Sequence, residues 1–332
     1  MKQRRRKRLT ADEYAQGILA GDRIILSRAI TLIESALPED NELAETVLEK
    51  VLPQTGNSLR IGITGVPGVG KSTFIESFGK QLTSIGKKVA VLTVDPSSQL
   101  SKGSILGDKT RMEELAHDPL AYIRPSASGS ALGGVNAKTR ESMLLCEAAG
   151  FEAIIIETVG VGQSETTVHG LVDFFLLLML AGAGDELQGI KRGIMEMADT
   201  IAITKADGDN LKQSKMAQRE YKNALHLFPP SETEWYPKVL TCSSLEKTGL
   251  DKIWETIVEY ESHMKTKGFF NRKRQKQNLN WMHETIHQQL EQRFYHHPAV
   301  NKQMSTMEQD VMNGEQVAIK AAKQLLELYF KS

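Results

Sequence analysis

A run of glycines, a lysine and two hydroxyl residues could hold a polyphosphate. The segment from Gly65 to Thr73 reads GVPGVGKST and matches the pattern GxxxxGK[ST]. Its glycines let the backbone fold with N–H groups pointing inward, and a helix beginning near Lys71 adds the positive end of its dipole. Lys71 can then reach the β- and γ-phosphates of a nucleotide, and the Ser72 hydroxyl can complete a Mg²⁺ shell. The spacing predicts a phosphate loop that consists of Gly65, Val66, Pro67, Gly68, Val69, Gly70, Lys71, Ser72 and Thr73.

Acidic residues at the ends of apolar runs could complete the magnesium site. Asp95 follows KVAVLTV, and Glu157 follows FEAIII. In a doubly wound sheet the carboxyl ends of the strands open onto the crevice that holds the phosphates, so both acids are predicted metal ligands. Asp108, in the segment GDKTRM, is predicted to be a switch-loop acid. Gly160, three residues after Glu157, could direct its N–H at the γ-phosphate.

The choice of base is predicted by a second short motif. Thr204 to Asp207 reads TKAD and has the form [NT]KxD, in which Thr204, Lys205 and Asp207 are the defined residues. The Asp207 carboxylate can accept hydrogen bonds from N1–H and the N2 amino group of guanine, whereas adenine has no N1 proton. Backbone N–H groups of Ser243, Ser244 and Leu245 could bond guanine O6. The order of these motifs favours a GTPase over a generic ATPase.

The motifs lie at the ends of short apolar runs that are separated by helical lengths. The predicted strands cover residues 59–64, 88–94, 151–158, 174–180, 199–205 and 238–242. Continuous apolar runs that alternate with helices indicate βαβ units, and so a mostly parallel α/β sheet with helices on both faces. Helical patterns precede and follow this region. We therefore expect a helical extension (1–55), a nucleotide-binding domain (56–264) and a C-terminal helical dimerisation arm (265–332), with residues 265–278 as a basic connector.

The composition excludes several classes of protein. The chain has 332 residues, 41 basic and 41 acidic side chains, and two cysteines. A net charge of zero gives no global reason to expect a nucleic-acid partner, and two cysteines cannot form a disulfide framework. The longest apolar stretch, residues 174–184, is about half of what a membrane span needs. No apolar segment follows the basic N-terminus MKQRRRKRL, so it does not resemble a secretory signal, and a cytoplasmic location is predicted.

Taken together, the motifs resemble one family over nearly the whole chain. The segments GITGVPGVGKST, RPSASGSALGGVNAKTRE, IIIETVGVGQSE, LAGAGDELQGIKRGIMEMAD and ITKADGDN are similar to those of the MeaB/ArgK family, the bacterial relatives of the human methylmalonic aciduria type A protein. The resemblance implies a homodimeric P-loop GTPase of the SIMIBI class that uses GTP/GDP and Mg²⁺. It also implies association with adenosylcobalamin-dependent methylmalonyl-CoA mutase, which such proteins protect while they gate cofactor loading and release.

The resemblance also suggests roles for individual residues. It implies that Lys71 and Ser72 are phosphate-loop ligands. The magnesium and switch acids would be Asp95, Asp108 and Glu157, and the residues that bind guanine would be Lys205 and Asp207. The segment from Gly182 to Lys191 resembles an additional switch, with Asp185, Gln188 and Lys191 as residues that couple to the partner. We expect slow intrinsic hydrolysis, with Lys191 as the group that a partner orders. Two departures stand out: Thr204 replaces a frequent Asn, and Ser244 replaces a usual Ala.

Three alternatives compete with this interpretation. The segment from His283 to His287 is a literal HExxH, which could bind a metal on one helix face, although a polar helix face is the simpler interpretation. A nickel-type metallochaperone GTPase would share the nucleotide site, but neither Cys146 nor Cys242 has a neighbouring metal-ligand motif. A transport kinase would need ATP, which TKAD disfavours.

Overall fold

A computed structural model describes residues 8–35, 37–94, 112–125, 134–158, 164–182, 192–229 and 231–331. Its centre is a seven-stranded sheet in which every pair of neighbouring strands is parallel, in the order β3-β2-β4-β1-β5-β6-β7. The strands are β1 (Leu59–Gly65), β2 (Val89–Val94), β3 (Ala121–Arg124), β4 (Ala153–Thr158), β5 (Phe174–Met179), β6 (Thr200–Ile203) and β7 (Lys238–Thr241). The predicted α/β class is confirmed.

Helices connect these strands and extend the chain at both ends. In the described residues they are α1 (Ala11–Leu19), α2 (Arg23–Ile33), α3 (Pro38–Val51), α4 (Lys71–Ser84), α5 (Glu113–Ala116), α6 (Gly134–Ala148), α7 (Ser164–His169), α8 (Arg192–Met197), α9 (Leu211–Leu225), α10 (Leu250–Thr266), α11 (Phe269–Tyr295), α12 (Pro298–Met312) and α13 (Ala318–Lys331). None of the helices in this part of the chain is long and apolar enough to cross a membrane.

Two apolar cores cover the two faces of the sheet. Side chains of β4 alternate between them, so that Ala153 and Ile155 join one core while Ile154 and Ile156 join the other. The first core is closed by α4, α9 and α10, and the second by α6 and by the N-terminal helices. β1 lies between β4 and β5 and is buried along its whole length. The sheet therefore supports the loop after β1 rigidly from both sides.

The N-terminal helices pack on the outside of the second core. Thr10 caps α1 through a capping box, since its hydroxyl accepts from the Glu13 N–H while the Glu13 carboxylate accepts from the Thr10 N–H at 2.7 Å. The capping box fixes the start of α1. Apolar residues on α1 and α2, such as Ile18 and Leu26, are fully buried against the same core as α6. Residues up to Gln277 form one compact unit that includes these helices, and the domain boundaries at 55 and 264 stay predictions.

Four charged side chains meet at the N-terminal ends of β1 and β5. Arg274, on α11, donates to both carboxylate oxygens of Asp173, at 2.8 and 2.6 Å. The Arg60 backbone N–H also donates to Asp173, at 2.9 Å, and the Arg60 side chain pairs with Glu147 at 2.8 Å. We call Arg60, Glu147, Asp173 and Arg274 the buried ion cluster. It fixes the first turns of α11 to the sheet.

The basic segment 265–278 is helical over most of its length, and not a connector. α10 and α11 are separated only by Lys267 and Gly268, and Gly268 has a φ of +76°. Lysine, arginine and glutamine are good helix formers, so a basic composition does not indicate a linker. Lys273 and Arg274 are used to contact the sheet.

Residues Asn278–Ser332 form a second compact unit. Pro298 begins α12, because the fixed φ of proline suits the first helical position. Within this unit Tyr329 contacts the rings of Phe294 and His297, and Val300 is fully buried. Three apolar side chains on α11, Met282, Ile286 and Leu290, are exposed.

Candidate nucleotide-binding site

The phosphate loop joins β1 to α4 and has the backbone shape that its glycines predict. Gly70 has a φ of +86° and stands immediately before the first residue of α4, in a conformation that side chains rarely adopt. A Cβ atom on Gly65 would lie 2.5 Å from the Leu178 carbonyl oxygen of β5, so no larger residue fits there. No side chain caps the N-terminus of α4. Its first N–H groups and its dipole are therefore oriented as a phosphate requires.

Lys71 extends over this loop. Its ammonium donates to the Gly65 carbonyl oxygen at 2.8 Å. Burial lowers the pKa of Lys71 below its usual value, and the carboxylates of Glu157 and Glu165 act in the opposite direction. The loop thus holds a partly desolvated amine on which two carboxylates act electrostatically, and a polyphosphate could replace the Gly65 carbonyl as its partner.

Glu157 reaches the predicted metal site from the end of β4. It is 4% exposed and accepts a hydrogen bond from the Ser72 hydroxyl at 3.2 Å. In the sheet it is paired with Ile63 of β1 and Thr93 of β2, so the register places it beside the phosphate loop. The two predicted ligands Ser72 and Glu157 are therefore in direct contact. A serine hydroxyl and a carboxylate are the oxygen donors that Mg²⁺ prefers, so the pair fits this ion.

Glu165 is an acid that no sequence motif identifies. It lies in the first turn of α7, is fully buried, and interacts electrostatically with Lys71. The sequence contains it in the segment GQSE, but no spacing rule distinguishes it from a surface glutamate at the start of a helix. Its burial, which only the fold defines, identifies it.

The TKAD motif is hydrogen-bonded to the backbone of the phosphate loop. The Thr204 hydroxyl donates to the Val69 carbonyl oxygen at 2.9 Å, and the Lys205 ammonium donates to the Gly68 carbonyl oxygen at 2.8 Å. Lys205 has a φ of +54°, and the Asn210 side chain donates to its carbonyl oxygen at 2.6 Å. The shorter side chain of Thr204 is therefore sufficient to reach the loop backbone, so this departure from Asn leaves the connection in place.

Asp207 lies beside the second predicted base-binding segment. The Ser243 hydroxyl donates to the Asp207 carboxylate and accepts from the Glu246 N–H at 3.0 Å. The Ala206 N–H donates to the Cys242 carbonyl oxygen at 3.0 Å, which holds the two segments together. Asp207 thus has one oxygen oriented by a serine and a second oxygen that can meet a base.

Direct bonds therefore connect most of the predicted site that the structure describes. The bonded residues are Gly65, Gly68, Val69, Lys71, Ser72, Glu157, Thr204, Lys205, Asp207, Ser243 and Ser244. Val66, Pro67, Gly70 and Thr73 lie in the same loop and helix start, and Leu245 is an exposed residue of the base segment. The predicted residues Asp95, Asp108, Gly160, Asp185, Gln188 and Lys191 lie outside the described residues.

The rival metal motifs have ordinary surroundings. His283, Glu284 and His287 are exposed on α11. No group of three or more histidine, cysteine or acidic side chains in the described segments is arranged to hold a metal ion. Both cysteines are buried, and burial raises the pKa of Cys242 to about 12 and that of Cys146 further.

Comparison with known proteins identifies the family. A family model described as methylmalonyl Co-A mutase-associated GTPase MeaB matches residues 26–299. The chain is 51% identical to a putative GTPase of Caulobacter vibrioides, over 97% of this chain and 98% of the relative. It is 48% identical to GTPase ArgK of Escherichia coli, over 85% of each chain, and 45% identical to the mouse methylmalonic aciduria type A homolog, over 96% of this chain and 79% of the relative.

A solved structure described as a LAO/AO transport system kinase has the same fold. It is 38% identical, covers 98% of this chain and 99% of its own, and superposes with a TM-score of 0.77. The phosphate loop follows the first strand of that fold, as a P-loop protein requires. The chain belongs to the MeaB family and is a P-loop GTPase.

Proposed function

We propose that this GTPase is a chaperone of an adenosylcobalamin-dependent methylmalonyl-CoA mutase, which it protects while gating the loading and release of the mutase cofactor. The observation that carries the proposal is the match of the MeaB family model to residues 26–299, because its description names the mutase association. The mouse relative, which carries the name of methylmalonic aciduria, supports the same partner. Two buried cysteines without a disulfide support a cytoplasmic location.

The described residues support a division of labour during hydrolysis. The N-terminus of α4 and Lys71 would bind the β- and γ-phosphates, and Lys205 and Asp207 would hold the base. Ser72 and Glu157 would hold Mg²⁺, together with Asp95 and Asp108 as proposed from the sequence. When bound, the ion would neutralise charge on the phosphate oxygens. Lys71 would then stabilise charge that develops as water attacks in line, since it already lies over the loop.

We further propose that the protein is a homodimer. We also propose that Lys191 is the group that the mutase orders to accelerate hydrolysis. The dimer is supported by the exposed apolar stripe of Met282, Ile286 and Leu290 on α11, whose residues follow one another at intervals of four. In the sequence Val161, and not a water-positioning glutamine, follows Gly160, which supports a slow intrinsic rate.

Adding the mutase should accelerate GTP hydrolysis. We expect slow turnover of GTP by the purified protein, negligible turnover of ATP, and a rise of about 10³–10⁵-fold with the mutase present, as for other partner-supplied groups. The measurement is phosphate release at fixed GTP with increasing mutase, and heat-denatured mutase is the control. GTP turnover that is indifferent to the mutase would contradict the chaperone proposal while leaving the GTPase assignment intact. We expect Lys191→Ala to lose this stimulation by the mutase, because Lys191 is the group that the mutase is proposed to order.

Replacing Glu157 by glutamine should raise the Mg²⁺ requirement. The amide removes the negative charge next to Ser72 and keeps the size of the side chain, so we expect half-maximal hydrolysis at about 10–100-fold more Mg²⁺. A Mg²⁺ titration at saturating GTP measures this. Glu152→Gln, just before the opposite end of β4, is the matched control and should leave the titration unchanged. A wild-type Mg²⁺ dependence in Glu157→Gln would remove this residue from the metal site.

A further inference from the structure

The segment that follows β7 is fixed at both of its ends. We call residues 242–249 the base loop. The N–H and carbonyl oxygen of Ser243 bond the carbonyl oxygen and N–H of Thr248, at 3.0 and 3.1 Å, so that the loop is closed on itself. Gly249 follows with a φ of +75°, and a Cβ atom there would lie 2.3 Å from the Thr241 carbonyl oxygen. These contacts fix the two ends of the base loop but not its tip, residues Ser244 to Lys247.

A side chain of the phosphate helix holds that tip. The Ser77 hydroxyl, on α4, donates to the Ser244 carbonyl oxygen at 3.1 Å. Ser77 lies in the same helix whose first residues close the phosphate loop, and it is half-buried. This bond therefore joins the helix that carries Lys71 and Ser72 to the loop expected to read the base.

Fixing one carbonyl fixes the next N–H group. A trans peptide is planar, and its C=O and N–H bonds point in opposite directions. Because the Ser244 carbonyl is directed at α4, the Leu245 N–H is directed away from α4. In the described part of the chain the N–H groups of Ser244 and Leu245 have no hydrogen-bond acceptor, whereas those of Ser243 and Glu246 on either side have one. Two adjacent donors are therefore available for one external oxygen.

We infer that Ser77 is a positioning residue for guanine recognition: it orients the Ser244–Leu245 peptide so that the tip of the base loop donates to O6 of the base. The inference rests on the proposed base site of Asp207 and the base loop. In this arrangement Asp207 would bind N1–H and the amino group of guanine, and the tip of the base loop would bind O6. It also explains how Ser244 can stand where Ala is usual, since only its backbone is used.

The affinities of three nucleotides distinguish a role of Ser77 in O6 recognition from a general effect of the substitution on α4. GTP and ITP both carry O6, whereas 6-thio-GTP has a sulfur there, which is a poor acceptor. We expect Ser77→Ala to weaken binding of GTP and of ITP by the same factor, about 5-fold for one neutral hydrogen bond, and to change 6-thio-GTP binding by less than about 2-fold. Ser77→Thr, which keeps the hydroxyl, should restore GTP binding. Equilibrium titration of the full-length protein with fluorescent derivatives of each nucleotide measures the affinities.

Ser84→Ala is the matched control. Ser84 lies on the same helix, but its hydroxyl bonds the Gln81 carbonyl oxygen within the helix, at 2.7 Å, so all three affinities should stay at their wild-type values. An equal loss for the three nucleotides in Ser77→Ala, or no loss at all, would overturn the inference. Asp207→Asn distinguishes a failure of the Ser77 inference from a failure of the proposed base site. If that variant exchanges guanine for xanthine while Ser77→Ala shows no selective loss, only the inference fails; if neither variant changes base selectivity, the proposed base site fails as well.

Discussion

Replacing Asp207 by asparagine should turn the protein from a guanine into a xanthine nucleotide hydrolase. In the proposed base site the Asp207 carboxylate would accept from the two donors of guanine, N1–H and the amino group, and an amide would oppose one donor with another. Xanthine presents an oxygen in place of the amino group and matches the amide. The oxygen of the new amide could still accept from the Ser243 hydroxyl, as the carboxylate does. A site built around a hydrogen bond discriminates by about 10⁴-fold, so we expect the GTP to XTP preference to change by this factor.

Titration of both nucleotides against both proteins measures this exchange. Asp209→Asn is the matched control, because Asp209 is an exposed acid two residues further along the chain and should leave both affinities unchanged. Unaltered binding of GTP and XTP by Asp207→Asn would remove Asp207 from the base site. Weaker binding of GTP with no gain for XTP would indicate that the loop had moved.

Breaking the buried ion cluster should cost much of the stability of the fold. In Arg274→Met the Asp173 carboxylate, whose side chain is 1% exposed, loses both of its bonds to the guanidinium. An unpaired charge that stays buried typically costs about 3–5 kcal/mol of unfolding free energy. Arg274 also donates to the carbonyl oxygens of Gly56 and Ser58, so the chain leading into β1 would lose two anchors. Urea unfolding followed by circular dichroism measures the change.

Two further variants test the physical cause of that loss. In the double variant Arg274→Met/Asp173→Asn no charge is left without its partner, so it should be more stable than the sum of the two single changes predicts. Lys87→Ala breaks an exposed pair with Glu152 and should cost only about 0.2–1 kcal/mol. A loss in Arg274→Met as small as that in Lys87→Ala would show that the cluster contributes little.

The fold was predictable wherever a strand is buried on both faces. β1, β4 and β5 lie at the centre of the sheet, and continuous apolar sequences mark them within two residues of their observed ends. β3 was missed because it is a four-residue edge strand, AYIR, that contains a polar end and no long apolar run. The helical start of α11 was missed because a basic composition was interpreted as a linker, although lysine, arginine and glutamine are good helix formers. Its bond to Asp173 joins residues 101 positions apart, which no local pattern reports.

The site was predictable as far as its chemistry depends on local spacing. The phosphate loop and TKAD each work within one short segment, so their residue types predict their contacts. The bonds from Thr204 and Lys205 to the loop backbone, by contrast, span 135 and 137 residues. Glu165 and Ser77 carry no motif at all and become significant only through the packing of α7 and α4. Sequence patterns therefore predict the groups that meet the ligand better than those that position them.

The inert character of the two cysteines has a practical consequence for spectroscopy. A thiol reacts as its thiolate, and burial keeps both Cys146 and Cys242 protonated far above neutral pH. The natural chain can therefore serve directly as the background for site-directed labelling. A cysteine placed at Met312, which is 75% exposed on α12, would carry one spin label per copy. Pulsed dipolar measurements with such a label would report the distance between two C-terminal units in the proposed dimer, with and without GTP.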